Sequence, residues 1–309
     1  MSFRSSRAAL QALVCTLPLA IAPALAQTTP STHSGKLLLT GGVSSIDGAA
    51  GGGLTPWAVT GGYGTDGEIG GSAFATRVKT KDFALNDYGV ALSYGDRIEV
   101  SLARQDFDTG PVGTALGLDG LRLKQDIFGL KLRVAGDAVL DSDSWMPQLA
   151  VGLQHKKAHP DRLASTLTAL GAKDSGTDIY VSATKLFLAP GILVNGTLRA
   201  TKANQNGLLG FGATDHTGYS LQPEVSVAWL LSKRIAIGAE YRAKPDNFRD
   251  FSGLGAGALK EDDWADLFIA WAPSKYFSLT AAYVDLGKIV PGVATRRQTG
   301  TYLSAQIAF

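Results

Sequence analysis

One-by-one alternation of apolar and polar residues along short segments is the feature that most constrains how this chain can fold. In 221–231, for example, Leu221 and Val225 alternate with Gln222 and Glu224. Because successive side chains of a β-strand point to opposite faces, such a segment predicts a strand with one apolar and one polar face. Several polar faces carry charged groups, which are costly to bury in a soluble sandwich. The pattern therefore favours a barrel with an apolar outside and a polar inside.

Turn residues separate about fourteen segments of this kind, and twelve to sixteen strands are compatible with the pattern. The segments are 37–45, 57–63, 68–78, 86–94, 98–105, 125–134, 145–154, 177–188, 192–201, 221–231, 234–242, 264–272, 276–284 and 300–309. Short turns mostly alternate with longer loops, as in barrels whose turns face the periplasm. We therefore predict an all-β fold, a transmembrane antiparallel up-and-down β-barrel of about 14 strands (12–16).

The N-terminus has the pattern of a secretory signal peptide. Arg4 and Arg7 precede a long uncharged run, and Ala-Leu-Ala at 24–26 matches an A-x-A cleavage site. A transmembrane anchor is the alternative, since the run approaches the length of a membrane-spanning helix. The prolines within the run and the polar residues after the cleavage pattern favour the signal peptide.

The same pattern predicts the domain organisation and the compartment. A cleaved signal peptide at 1–26 is followed by a short N-terminal segment at 27–36 and a barrel at 37–309. Export of such a chain predicts a location in the bacterial outer membrane.

Cysteine content and charge exclude several functional classes. Cys15 is the only cysteine and lies in the predicted signal peptide, so the mature chain has no thiol for disulfides, metal binding or catalysis. Removal of two arginines with this peptide takes Lys+Arg from 29 to 27, equal to the 27 Asp+Glu. A neutral chain without a basic patch predicts no nucleic-acid binding.

Motifs for enzyme chemistry are weak. The histidines His33, His155, His159 and His216 lack the spacing of metal ligands, so we predict neither metal nor cofactor. The loop around His216 has many serines available to it, but no nucleophile and base in a fixed arrangement are visible. We predict that the chain is not an enzyme, and a lipid-modifying enzyme is the least favoured alternative.

The chain ends on an aromatic residue that belongs to an alternating segment. Phe309 shares one face with Leu303, Ala305 and Ile307, behind Tyr302. This arrangement resembles the C-terminal signal that the barrel-assembly machinery reads in outer-membrane proteins, although an ordinary edge strand can also end in Phe. The predicted partners are therefore that machinery and the lipids of the outer membrane.

Three long strings resemble a known family. They are GTDIYVSATKLFLAPGILVNGTLRATKANQNGLLGFG at 176–212, EDDWADLFIAWAP at 261–273 and AAYVDLG at 281–287. The chain resembles a family of uncharacterised Gram-negative outer-membrane β-barrel proteins, described only as a domain of unknown function. The likeness spans essentially the whole mature chain. It implies the fold and the location, and it brings no substrate or catalytic residue.

Polar side chains on the predicted inner faces are the candidate functional residues. The predicted pore-lining residues are Glu99, Lys131, Arg133, Gln148, Arg199, Glu224, Glu240 and Arg242. They either pair with one another in a wet interior or form a filter for solutes.

Wall side chains alone cannot fill a barrel of more than about eight strands. We therefore expect loop 106–124 or 245–263 to narrow the lumen. The predicted function is a pore for passive passage of small solutes of unknown identity. A structural or surface-interaction barrel without transport is the alternative.

Overall fold

A computed structural model of the protein describes residues 36–41, 43–138, 145–250 and 257–309. Twelve antiparallel strands form a closed barrel in which consecutive strands pair and β1 pairs with β12. The strands are β1 (Ile69–Thr80), β2 (Ala84–Tyr94), β3 (Ile98–Asp108), β4 (Arg122–Ala135), β5 (Gln148–His159), β6 (Ser175–Phe187), β7 (Ile192–Thr201), β8 (Ser220–Ser232), β9 (Ile235–Arg242), β10 (Trp264–Ser274), β11 (Phe277–Asp285) and β12 (Thr299–Ala308). The predicted signal peptide, Cys15 and His33 lie outside the described residues.

Two short helices lie in the loops, α1 at Gly110–Ala115 and α2 at Ala164–Ala169. Among the described residues, no helix is long and apolar enough to cross a membrane. The short turns after β2, β6, β8 and β10 lie at one end of the barrel, together with the start of β1 and the end of β12. We call this the turn end, and the opposite end the loop end.

The strand count corrects the best estimate of fourteen to twelve, the lower limit of the predicted range. Twelve predicted segments coincide with strands to within a few residues. The segments 37–45 and 57–63 are not strands of the wall. Residues of 57–61 bond to wall side chains such as Glu99, and Leu39 packs against Ala236 and Ala270, so alternation there reflects contacts inside the lumen.

Residues 43–62 form what we call the lumen segment. Nearly all of its side chains are buried, and it runs towards the loop end and back. At the turn end, Gly62 N donates to the carbonyl of Gly41 at 2.7 Å, and Lys36 Nζ lies 2.8 Å from Asp96. At its tip, Ile46 and Leu54 pack against wall residues near the loop end. The segment therefore fills much of the length of the lumen. The sequence had predicted that loop 106–124 or 245–263 would narrow it.

The outer surface of the wall is apolar. Val90, Leu102 and Val227 point outwards and are 43–54% exposed. A closed barrel with such a face is built to lie in a bilayer, which fits an outer-membrane location. Leu303 and Ile307 of β12 and Phe309 directly after it are exposed on this outer face, whereas the side chain of Tyr302 is buried inside the barrel.

Inward-pointing aromatic rings lie over glycines of neighbouring strands. Tyr180 pairs with Gly152, and Phe268 pairs with Gly238. A Cβ atom at Gly152 would lie 2.3 Å from the Tyr180 ring, and one at Gly238 would lie 2.5 Å from the Phe268 ring. These glycines let the rings lie flat along the wall, which leaves room for the lumen segment.

Candidate functional site

All but one of the predicted pore-lining residues lie deep inside the barrel and contact the lumen segment or one another. Seven of the eight are at most 3% exposed. The exception, Arg133, lies at the turn end beside Asp96 and Asp137. A role for these residues as a solute filter stays a prediction, since most of their hydrogen-bonding groups are already used within the protein.

One wall ion pair binds both arms of the lumen segment. Glu99 and Lys131 are register partners on β3 and β4, and Lys131 Nζ lies 3.1 Å from Glu99 Oε1. Glu99 accepts hydrogen bonds from Ala50 N at 3.1 Å and Gly61 N at 2.7 Å. Lys131 donates to the carbonyls of Ala50 and Val59, both at 2.8 Å. The outgoing and returning arms are thereby joined through the wall.

Asp47, near the tip of the lumen segment, is the centre of a buried charge network. Its carboxylate lies 3.0 Å from Lys156 Nζ, 2.8 Å from Arg242 Nη1 and 3.6 Å from Arg199 Nη2. Asn206 of the β7–β8 loop also donates to it at 3.0 Å. The segment thus supplies one carboxylate to three cations from β5, β7 and β9. The sequence pattern placed Asp47 in a loop and gave no signal for this role.

Two wall carboxylates balance the remaining charge. Asp178 lies 3.0 Å from Lys156 and 3.5 Å from Arg199, and Glu224 lies 2.5 Å from Arg199 and 3.4 Å from Arg242. With the carboxylate of the segment, the network contains three cations and three anions. Such a network is costly to break by removal of one member, because the others stay buried without compensation.

Glu240 binds the segment at a point where only glycine fits. Its carboxylate accepts from Leu54 N and from the hydroxyls of Thr55 and Ser226, each at 2.7 Å. A Cβ atom at Gly52 would lie 2.0 Å from Glu240 Oε1. Any side chain at Gly52 therefore displaces either this carboxylate or the segment.

The wall formed by β10–β12, β1 and β2 differs. Both carboxylate oxygens of Asp87 and of Asp266, both amide atoms of Gln306 and the hydroxyl of Ser72 are buried without a hydrogen-bond partner among the described residues. We call these four residues the unpartnered strip. Buried polar groups normally bond to protein, water or ions, so the strip marks a place for water or cations. Sequence reasoning missed it, because alternation within 86–94 and 264–272 does not show which inward-pointing side chains find a partner.

A buried ion pair lies in the β9–β10 loop. Lys244 Nζ is 3.4 Å from Glu261 Oε2 and lies over the Trp264 ring at 4.2 Å. Glu261 also accepts from Gln205 N at 2.6 Å. Burial lowers the pKa of Lys244 to about 8, although Glu261 opposes this, and burial raises the pKa of Glu261 to about 7, although Lys244 opposes this. The pair therefore changes its charge near neutral pH.

The described residues form neither a metal-binding nor a catalytic cluster. Among them, no three His, Cys, Asp or Glu side chains converge in a group that could hold a metal ion. His216 hydrogen-bonds to Arg249, and its Nδ1 lies 3.6 Å from Asp250 Oδ2. In this part of the chain, no serine hydrogen-bonds to His216, so the geometry gives no nucleophile and base in contact.

The chain belongs to the family described as "Protein of unknown function (DUF3034)", whose model matches residues 40–306. The resemblance noted in the sequence is thus confirmed. None of the curated proteins matches the chain.

Solved structures similar to the chain are outer-membrane proteins. The KdgM porin has 8% identity and a TM-score of 0.47, and the match covers 77% of this chain and 99% of that chain. The COG4313 outer membrane channel from Pseudomonas putida F1 has 12% identity and a TM-score of 0.45, with coverages of 80% and 96%. Outer membrane phospholipase A from Escherichia coli has 10% identity and a TM-score of 0.43, with coverages of 80% and 94%. Similarity this low carries no information on substrate or activity.

Proposed function

We propose that this protein is an outer-membrane channel for small polar solutes and ions, closed at rest by its own lumen segment. The observation that carries the proposal is the unpartnered strip. Asp87 and Asp266 are costly to bury as dry, unpaired carboxylates, which supports the presence of water or cations beside them. A wet strip along one side of the lumen is the beginning of a permeation path.

The contacts of the lumen segment favour a removable closure. Most of its hydrogen bonds are to wall side chains, as at Glu99, Lys131 and Glu240. In a water-filled barrel, water can take the place of the lost partner in such bonds, which contribute about 1.5–3 kcal/mol each where a charged group takes part. A segment packed into a purely apolar core would lack this exchange.

A barrel without transport is the second candidate. The near-complete burial of residues 43–62 favours it, since a lumen that stays filled passes nothing. The two functions differ in one respect, whether displacement of the segment opens a path. Lipid-modifying activity has less support, because His216 contacts Arg249 and Asp250 instead of a serine.

Substitution of Gly52 tests the proposal. Gly52→Leu places a side chain where Glu240 lies and is expected to displace the segment, so the variant should conduct in planar bilayers far more than the wild-type protein. Gly196→Leu is the matched control, because a Cβ atom at Gly196, on the outer face, meets nothing within 4 Å. If Gly52→Leu folds and conducts no more than Gly196→Leu, the barrel without transport is favoured.

The proposal includes a route to the membrane. A signal peptide cleaved after residue 26 would export the chain, and the C-terminal residues Leu303, Ala305, Ile307 and Phe309, with Tyr302, would direct its assembly. Mass spectrometry of protein purified from outer membranes should then find Gln27 as the first residue. A mature chain that retains residues 1–26 would contradict this part.

A further inference from the structure

An apolar cavity lies at the loop end of the lumen, beyond the tip of the lumen segment. Its volume is about 100 Å³. Ile46 and Leu54 of the segment line it from below, Val284 of β11 from the side, and Val112 of α1 and Ile289 of the β11–β12 loop from above. Protein interiors seldom leave voids larger than a water molecule, so a cavity of this size is unusual within packed apolar side chains.

The polar side chains around the cavity are bonded to protein. Gln105 donates to the carbonyl of Ile46 at 2.5 Å, and Thr109 donates to the carbonyl of Leu121 at 2.9 Å. Gln205 donates to the carbonyl of Ile289 at 3.0 Å.

The remaining polar groups offer water little. Asn206 donates to Asp47 at 3.0 Å and accepts from Arg242 at 2.8 Å. The hydroxyl of Tyr302 has no partner among the described residues, and a Cβ atom at Gly53 would lie 3.4 Å from it, so it offers water a single polar group. Water needs two to four polar partners in a buried site. The cavity therefore favours an occupant that makes no hydrogen bonds.

The volume of the cavity limits the size of the molecule that can bind in it. An apolar cavity of about 150 Å³ stays free of water and binds benzene. This cavity is somewhat smaller, but α1 and the loop residues form its upper wall, and loops adjust more readily than strands. A single ring is thus near the upper limit of what fits, and an extended acyl chain is too large.

We propose that this cavity is a binding site for a compact, uncharged hydrocarbon, up to the size of one aromatic ring. The site goes beyond the proposed channel, because it requires neither conduction nor displacement of the lumen segment. The lumen next to the cavity, around Asp47 and Glu240, is polar, so the apolar site adjoins a charged region near the loop end.

Binding of radiolabelled toluene to the purified full chain in lipid nanodiscs tests the proposal by equilibrium dialysis. Empty nanodiscs measure the toluene that dissolves in lipid. We expect saturable binding of about one toluene per barrel above this background. Benzoate, which adds a charge to the same ring, should not bind. Toluene uptake that depends only on lipid, or equal binding of benzoate, would overturn the proposal.

Two variants fill the cavity from different sides. Val112→Phe and Val284→Phe should each lower toluene affinity at least tenfold, whereas Val100→Phe, which enlarges a side chain on the outer face, should leave it unchanged. Heat-modifiable migration in gels identifies the variants that fold. If either folded cavity variant binds toluene as the wild type does, the assigned site is wrong. Because no step uses conductance, a failure here is distinct from a failure of the channel proposal.

Discussion

The two sides of the lumen treat their carboxylates differently. On the wall from β3 to β9, Glu99 and Glu240 bond to the lumen segment. On the wall from β10 through β12 to β2, Asp87 and Asp266 have no partner among the described residues. The difference teaches that inward-pointing carboxylates of one barrel can have different surroundings, and that the position of the lumen segment decides which of them are bonded.

Among the changes that test this difference, loss of Asp47 should have the largest effect, a decrease in the free energy of unfolding. Asp47→Asn leaves Lys156, Arg199 and Arg242 with two carboxylates instead of three, and removal of one member of a buried ion pair typically costs about 3–5 kcal/mol. We expect a loss of that order in the free energy of unfolding, measured by urea denaturation in detergent micelles. The exposed Asp66→Asn should change it by less than about 0.5 kcal/mol. Equal effects of the two substitutions would show that the network does not hold the segment.

The second-largest expected effect is a change in ion selectivity, which should differ between the two sides of the lumen. In conducting channels of the Gly52→Leu variant, the added pair Asp87→Asn and Asp266→Asn should reduce cation preference severalfold, because it removes two carboxylates that face water. In the same background, Glu224→Gln should change the reversal potential less, since that carboxylate pairs with Arg199 and Arg242 of the wall, which do not depend on the segment. The opposite order would assign the filter to the bonded side.

The smallest expected effect is a pH dependence of stability that comes from Lys244 and Glu261 in the β9–β10 loop. The folded pKa of Glu261, about 7, lies above its ordinary 4.5, so its contribution to stability is present below pH 4.5 and is lost as pH rises to about 7. The folded pKa of Lys244, about 8, lies below its ordinary 10.5, so its contribution is present above pH 10.5 and is lost as pH falls to about 8. Stability from this pair should be lowest between pH 7 and 8.

Thermal unfolding at several pH values checks this expectation. Between pH 5 and 7 the midpoint of the wild type should fall relative to that of Glu261→Gln, which cannot lose a proton at this site. Parallel midpoints of the two proteins across this range would contradict the assigned pKa of Glu261.

Much of the wall could be predicted from the sequence. The alternation in 221–231 places Val227 in the lipid and Ser226 in the lumen, and the structure has both so. A wall strand has a neighbouring strand on each side, and its two faces meet lipid and the lumen. The alternation of its residues can therefore be recognised within the strand itself. The inward position of Glu99, Arg199 and Glu224 follows from the same pattern.

The prediction that 37–45 and 57–63 are wall strands was wrong for a related reason. Alternation reports only that successive side chains meet different surroundings, and residues 43–62 meet different walls of the lumen. Glycines at 51–53, which permit close contact with Glu240 and Tyr302, read equally well as a flexible loop. The partners that decide between these two interpretations lie far away in the sequence; Leu54 and Glu240, for example, are 186 residues apart.

By itself, then, the sequence determined an antiparallel barrel with an apolar outside, because that property depends on each residue and its nearest neighbours in the chain. Only the tertiary structure decided what fills the barrel. It brought Asp47 to three distant cations, left Asp87 and Asp266 without partners, and enclosed an apolar cavity at the loop end. These features depend on contacts between residues far apart in sequence, and Asp47 and Asp87 look alike until those contacts are known.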